Sequence, residues 1–158
     1  MRVATRYSNE GVNNKDNMER NHELTSKQQE QLQKLKKGIR YSSTTTNWNI
    51  QYTITGNLIP NEDLIDLTET VSLTYLDSHK TNRITMVTYT LTTSHGSISQ
   101  HKTRGRNLRA IHSEPEHSGG TITSTLQQLE HIEPISITIR WKEQWKGETI
   151  ETTTLSRL

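Results

Sequence analysis

Two stretches of the chain alternate strictly between apolar and polar residues. The apolar positions of the first are Trp48, Ile50, Tyr52 and Ile54, and those of the second are Ile135, Ile137, Ile139 and Trp141. Successive side chains of a β-strand point to opposite faces of the sheet, so this period of two predicts two strands that each bury one face. We expect the second strand to return as an antiparallel hairpin over residues 134–155, with Gly147 at a positive-φ turn position.

Shorter alternating runs predict further strands between these two. Their inward positions are Val71, Leu73, Tyr75, Val87, Tyr89 and Leu91. Ile84 and Met86 have the opposite phase, which indicates either a β-bulge near Met86 or a strand that is covered on both faces at its start. Residues 121–126 are strand-like, whereas the acidic segment 62–69 is expected to be a solvated link with a helical turn, and 113–120 a turn-rich connection. The total is seven or eight short strands, with turns at the spacing of a β-sandwich.

The N-terminal part of the chain has a different pattern. Residues 1–22 are polar and almost without large apolar side chains, which predicts a disordered leader or tether. A helix is expected at about residues 27–37, because Ser26 and Gln29 have the spacing of a capping box and lysines fill the last turn. Residues 23–158 then form a single domain that includes this helix.

Composition favours the same fold class. Only 28% of the residues are hydrophobic and phenylalanine is absent, so each element must have one solvated face. An antiparallel sheet meets this requirement, and the abundant threonines suit its outer positions. We therefore predict an all-β fold, an antiparallel immunoglobulin-like β-sandwich with a short N-terminal helix. Cysteine is absent and the net charge is only +2, so neither disulfides nor a strongly anionic partner are indicated for the chain as a whole.

No motif of a known class of catalytic site is present. The sequence has no nucleophile elbow, no zinc-protease helix, no phosphate-binding loop and no dinucleotide fingerprint. His112, Ser113 and Glu114 are adjacent, but neighbouring residues of a strand point to opposite faces, which argues against a triad. The sequence therefore predicts a protein that is not an enzyme and that has no cofactor.

Several carboxylates and histidines are candidates for metal ligands or acid–base groups. The pairs Glu114 with Glu116 and Glu130 with Glu133 lie in polar segments and are interpreted as surface groups. Four histidines fall within one span: His95, His101, His112 and His117. Their spacing matches no closed zinc or copper motif, so no metal site is predicted.

The most distinctive charged segment spans residues 101–109. Its cations, which are the candidate polyanion-binding residues, are Lys102, Arg104, Arg106 and Arg109. One interpretation is a patch for a phosphate-bearing polymer such as an anionic cell-wall polymer. Nucleic acid is disfavoured because no aromatic residue interleaves with the arginines. The other interpretation is a charged edge strand that prevents pairing with other chains.

The end of the chain carries a resemblance to a known family. The segments Ile-Ser-Ile-Thr-Ile-Arg-Trp (residues 135–141) and Gly-Glu-Thr-Ile-Glu-Thr-Thr-Thr-Leu (147–155), after a polar leader and a short helix, resemble the mature part of small Bacillus-type surface lipoproteins with an immunoglobulin-like domain. The resemblance covers about residues 46–155 and assigns no functional residue. It implies an extracytoplasmic location at the cell surface, a cytoplasmic one being the alternative, and an upstream signal and lipidated cysteine that this sequence lacks.

Two functions follow as hypotheses. The first is a non-catalytic binding or accessory module at the bacterial cell surface that contacts a protein partner or an anionic wall polymer. The second is a lipocalin-like carrier of a small ligand, whose cavity would be lined by Trp48, Tyr52, Tyr75, Tyr89 and Trp141. A filled core between two sheets would favour the first, and an open apolar cavity of a few hundred Å³ would favour the second.

Overall fold

A computed structural model describes residues 24–76, 84–104, 108 and 110–158. Within these residues the helices and strands are, in chain order, α1 (Ser26–Lys37), β1 (Ile39–Thr44), β2 (Trp48–Leu58), β3 (Leu64–Tyr75), β4 (Ile84–Thr93), β5 (Gly96–Arg104), β6 (Ala110–His112), β7 (Glu116–Thr121), α2 (Ile122–Glu130), β8 (Ile135–Glu143) and β9 (Glu148–Arg157). The predicted leader, residues 1–22, lies outside the described residues.

The strands form one hydrogen-bonded sheet, and every pairing in it is antiparallel. The order of the strands is β5-β4-β8-β9-β1-β2-β3-β6, and β7 also pairs with β3. The all-β antiparallel class predicted from sequence therefore fits the structure. The described residues contain nine strands against the predicted seven or eight, because β1 and β7 were not predicted, whereas residues 121–126 were counted as a strand.

The sheet curls so that its two halves face each other. The halves join through β1 and β9, which share only the paired positions Tyr41 with Arg157 and Ser42 with Ser156. Trp48 of β2 nevertheless contacts Trp141 of β8, with ring centroids 5.6 Å apart. The core therefore lies inside the curl, between β2 and β3 on one side and β4 and β8 on the other.

The period-two predictions for the main strands are confirmed. The apolar positions of β2 and β8 that the sequence pattern placed inward are buried, and the polar positions between them are partly or fully exposed. Val71, Leu73 and Tyr75 of β3 are buried as well. The bulge expected near Met86 is present, as the register between β4 and β8 shifts between Ile84 and Met86. Burying one face of each strand fixes this register, because a slip of one residue would expose the whole apolar set.

Helix α1 confirms the predicted N-terminal helix, with a cap one residue earlier than expected. The capping box consists of Thr25 and Gln28, and the Thr25 Oγ1 accepts a 3.0 Å hydrogen bond from the Gln28 backbone N–H. The helix is anchored by Leu35, which is fully buried. A Cβ atom at Gly56 of β2 would lie 2.7 Å from the Leu35 Cδ2, so the absence of a side chain there lets the helix approach the sheet closely.

Residues 121–126, predicted to be strand-like, instead begin helix α2. Thr121 is the N-cap, and its side-chain oxygen accepts a hydrogen bond from the Ser124 backbone N–H. Ile122 and Leu126 are one helical turn apart and both are buried against the core. The β-branched residues at the start of this segment favour a strand locally, but burial of one helical face overrides that preference.

Residues 113–120, predicted to be a turn-rich connection, contain most of β7. This strand is mostly exposed and includes Gly119 and Gly120, which are poor strand formers. It exists because it pairs with β3 over six residues, from Leu64 opposite Thr121 to Glu69 opposite Glu116. The partner strand, rather than local propensity, therefore determines this element.

The acidic segment 62–69 is also different from the predicted link. Strand β3 begins at Leu64, and Ile65 pairs with Leu58 on β2 and with Gly120 on β7. Hydrogen bonds on both sides stabilise the extended backbone, so the helical turn expected here does not form. The acidic side chains at its exposed positions face solvent.

The final hairpin is present over β8 and β9, but its turn differs from the prediction. Trp145, not Gly147, is the residue of this turn with a positive φ, 69°. Trp145 is 92% exposed, whereas Trp141 is only 2% exposed. Within the described part of the chain, neither helix is long and apolar enough to cross a membrane.

Candidate ligand-binding cavity

The predicted polyanion-binding residues are only partly described. Lys102 and Arg104 lie in β5, where they pair with Thr88 and Met86 of β4, at one end of the strand order. Arg106 and Arg109 fall outside the described residues. The structure therefore leaves the function of this segment as a prediction.

A different feature is a cavity of about 320 Å³ lined by residues of β2, β3, β7 and α2 and of the turn after β4. Its lining comes from four separate parts of the chain and consists of Tyr52, Ile54, Leu67, Glu69, Thr93, His95, Glu116, His117, Ser118, Thr125, Gln128, Leu129 and Ile132. The volume lies in the range of small-molecule pockets, which is about 300 to 1,000 Å³.

One side of the cavity is apolar. Ile54 and Leu67 lie on the neighbouring strands β2 and β3, and Leu129 and Ile132 come from α2 and the residues after it. Leu67 and Leu129 are only partly buried, although both pack against the core. Filling the cavity with an apolar group would remove these side chains from water, which is favourable.

The polar end of the cavity is a hydrogen-bonded pair. The Tyr52 hydroxyl donates to the Glu69 Oε1 over 2.5 Å. Tyr52 is fully buried and its ring stacks on Tyr41, with centroids 6.0 Å apart. Burial raises the pKa of the Tyr52 hydroxyl far above its ordinary value, and the Glu69 carboxylate raises it further. The hydroxyl therefore stays protonated and donates to the Glu69 carboxylate, and both residues line the cavity.

Glu69 is a partly buried carboxyl group in the lining of the cavity. Burial raises the pKa of its carboxyl group; the hydrogen bond from Tyr52 lowers it, and the Glu116 carboxylate directly across the strand pair raises it. Within the described residues, Tyr52 is the hydrogen-bond partner of Glu69, and its Oε2 has none. A partly desolvated carboxylate oxygen is a strong acceptor for an incoming donor or cation.

Two histidines are also among the lining residues. The His95 Nε2 lies 3.1 Å from the Gln128 carbonyl oxygen, so this nitrogen donates a hydrogen bond. The His117 Nδ1 lies 3.2 Å from the Thr68 Oγ1. Among the described residues, no three histidine or acidic side chains converge as metal ligands would. The cavity thus combines an apolar wall with acceptors and donors at one end.

The cavity differs from the one predicted from sequence. Of the five aromatic residues expected to line a cavity, Tyr52 alone does so. Trp48, Tyr75 and Trp141 instead pack edge to face against one another in the core. Glu116, interpreted as a surface group, is exposed but also lies at the cavity.

Glu69, His95 and His117 were missed as site residues. A signal for Glu69 exists in the sequence, because extending the inward positions of β3 backwards by two residues from Val71 places Glu69 on the buried face. The histidines give no such signal, since His95 lies in a turn and His117 in a strand that only its partner stabilises.

No protein-family model matches the sequence, and no curated protein matches it. The function is therefore inferred from the geometry of the cavity.

Proposed function

We propose that this protein is a non-catalytic binding protein that holds a small amphipathic molecule in the cavity between α2 and the sheet. The observation that supports this most strongly is the Tyr52–Glu69 pair at the end of a cavity with an apolar wall. Fixed polar groups orient a ligand, while the apolar wall supplies affinity. Of the two functions predicted from sequence, this is the small-ligand carrier, with the ligand at a different place in the fold.

The chemistry of the cavity favours a ligand with a cationic head. No described residue bonds to the Glu69 Oε2, and Glu116 adds a second negative charge across the strand pair. A protonated amine would donate to Glu69 and neutralise part of this charge, whereas a carboxylate would be repelled. A volume of about 320 Å³ holds about ten water-sized groups, so the body of the ligand is one ring or a short chain.

We also propose a cell-surface location, an immunoglobulin-like relationship and a protein or wall-polymer partner, all of which are compatible with a ligand-binding module. Extracellular binding modules commonly present a ligand site on a rigid β scaffold. The cavity itself does not depend on any of these three.

The test is a calorimetric titration with three matched compounds. 2-Phenylethylamine, 2-phenylethanol and phenylacetate share a ring but differ in the charge of the head group. We expect the amine to bind most tightly and phenylacetate most weakly. Glu69→Gln should weaken amine binding about tenfold while changing alcohol binding little, because one charge-assisted hydrogen bond is lost.

Glu62→Gln is the matched control, since Glu62 is exposed between β2 and β3 and does not line the cavity. It removes the same charge and should leave all three affinities unchanged. The proposal would be contradicted if none of the three compounds bound at millimolar concentration. It would also be contradicted if Glu69→Gln and Glu62→Gln weakened amine binding equally.

A further inference from the structure

A second cleft, of about 430 Å³, lies where the end of α1 meets β1 and β9. Its described lining is Lys34, Lys37, Gly38, Ile39, Arg40, Arg157 and Leu158. Four of these seven residues are cations, and all four are exposed. The cleft is separate from the ligand cavity, with which it shares no lining residue.

The fold brings the four cations together from three elements. Gly38 ends α1 with a φ of 109°, and its N–H donates to the Lys34 and Leu35 carbonyls, so the chain turns directly into β1. Strand β9 then lies beside β1, with the Leu158 N–H donating to the Arg40 carbonyl over 2.9 Å. These backbone contacts place the last turn of α1 beside the paired ends of β1 and β9.

Within the cleft itself the cations have no acidic partner among the described residues, although Lys34 and Arg157 also line a neighbouring cavity that contains Glu30, Glu130 and Glu133. Among the described residues no acidic side chain lines the cleft, and Lys34, Lys37, Arg40 and Arg157 form no ion pair there. At the other end of the same helix Lys27 does have an acidic partner, since its Nζ lies 2.6 Å from the Glu130 Oε2.

The helix itself explains only part of this arrangement. Lysines in the last turn of a helix are favourable because the helix dipole is negative there, which accounts for Lys34 and Lys37. It does not account for Arg40 and Arg157, which belong to strands. Placing like charges together costs free energy unless an anion binds between them.

We infer that this cleft binds a linear polymer of phosphates. The exposed, flexible cations and the open shape suit the backbone of a polyanion, since each phosphate can exchange among several side chains. No aromatic residue lines the described part of the cleft, so nothing there stacks on nucleobases. A phosphate chain without bases therefore fits better than a nucleic acid.

The cleft is also distinct from the basic segment 101–109. Strand β5, which contains Lys102 and Arg104, is separated from β9 by β4 and β8 in the sheet. Two candidate sites for a polyanion thus lie on different parts of the molecule, and they are distinguished by mutation.

The experiment measures binding of long-chain inorganic polyphosphate to the full chain at several salt concentrations. With about four phosphate contacts, the logarithm of affinity should fall with the logarithm of salt concentration with a slope of about −3. The variant Arg40→Gln/Arg157→Gln should weaken binding at least tenfold at low salt and reduce the slope by about 1 to 1.5. Both residues are exposed, so the fold should be retained, which circular dichroism checks.

Two variants with the same loss of charge serve as controls. Arg140→Gln/Lys142→Gln removes two exposed cations of β8, and Arg104→Gln/Arg106→Gln removes two cations of the basic segment. Neither should change the slope. If all three double variants weakened polyphosphate binding equally, binding would respond to net charge alone. If the Arg104 and Arg106 variant weakened it most, the site would lie in the basic segment. Either result overturns the inference.

Two further probes distinguish the kind of anion. Orthophosphate should compete with polyphosphate only weakly at equal phosphate concentration, because a single ion engages few of the four cations. Equal competition would indicate a site for a single anion. Tighter binding of oligothymidylate of similar charge, with the same dependence on Arg40 and Arg157, would indicate a nucleic-acid site. Each of these outcomes contradicts the inference of a phosphate polymer.

Discussion

The indole rings of Trp48 and Trp141 meet at 76° with centroids 5.6 Å apart, although β9 and β1 separate their strands in the sheet. Tyr75 contacts both rings and completes an edge-to-face cluster. Within the described residues neither indole Nε1 has a hydrogen-bond partner. Aromatic packing at this cluster therefore joins the two halves of the sheet, together with a buried hydrogen bond that the Tyr75 hydroxyl donates to the Glu143 Oε2 over 3.4 Å.

Removing the Trp141 side chain should destabilise the protein severely. The residue is 2% exposed and contacts both Trp48 and Tyr75, so Trp141→Ala should lower the free energy of unfolding by about 3 to 5 kcal/mol. Trp145→Ala is the control, because Trp145 is 92% exposed and should cost little. Chemical denaturation measures both, and a larger loss for Trp145 would refute the assignment of the core.

A methyl group at Gly56 should disturb the docking of α1. The added Cβ would lie 2.7 Å from the Leu35 Cδ2 and 2.9 Å from the Leu67 Cδ2, and Leu35 is fully buried. We expect Gly56→Ala to cost about 1 to 3 kcal/mol of stability, and less in a Leu35→Ala background, where the clash is relieved. Gly147→Ala is the control, because no atom lies within 4 Å of the added Cβ and its effect on stability should be close to zero. Thermal unfolding measures all of these variants.

The stability of the protein should depend on pH through Glu69. Because burial raises the pKa of this carboxyl group in the folded state, the folded protein binds its proton more tightly than the unfolded chain. The stabilisation that results from this tighter proton binding is fully present below about pH 4. It is lost as the pH rises through the pKa that Glu69 has in the folded protein. Glu69→Gln should therefore gain stability relative to the wild type as the pH rises from about 4 to 7.

Urea denaturation at several pH values measures this difference. Trp145→Ala is the control, because it removes no ionisable side chain. The difference between its free energy of unfolding and that of the wild type should stay constant with pH. A Glu69→Gln difference that is equally constant would mean that the carboxyl group is not perturbed by burial.

Amine binding should also depend on pH. As the pH falls through the raised pKa of Glu69, the carboxylate becomes protonated and the affinity for 2-phenylethylamine should fall. Calorimetry at pH 5 and pH 7 should show a smaller drop in affinity for Glu69→Gln than for the wild type, and an equal drop would show that Glu69 does not control the pH dependence.

Strands that bury one face were predictable from sequence, and the elements that depend on distant partners were not. The apolar positions from Trp48 to Ile54 are buried in the structure as the sequence pattern predicts. Burying one face of a strand determines which side chains point inward. Strand β7 could not be recognised, since Gly119 and Gly120 become extended only by pairing with β3. The cavity was missed for the same reason. Its polar end is local to β2 and β3, but α2 closes it, and residues 121–126 favour a strand when considered alone.

The most direct test of the proposed function is to locate the bound amine. Amide chemical shifts of ¹⁵N-labelled protein, recorded during a titration with 2-phenylethylamine, report which residues surround the ligand. We predict saturable changes at Glu69, Ser118 and Gln128, which line the cavity, and none at Gly147. Changes that cluster elsewhere, or that persist unaltered in Glu69→Gln, would contradict a ligand site at the Tyr52–Glu69 pair.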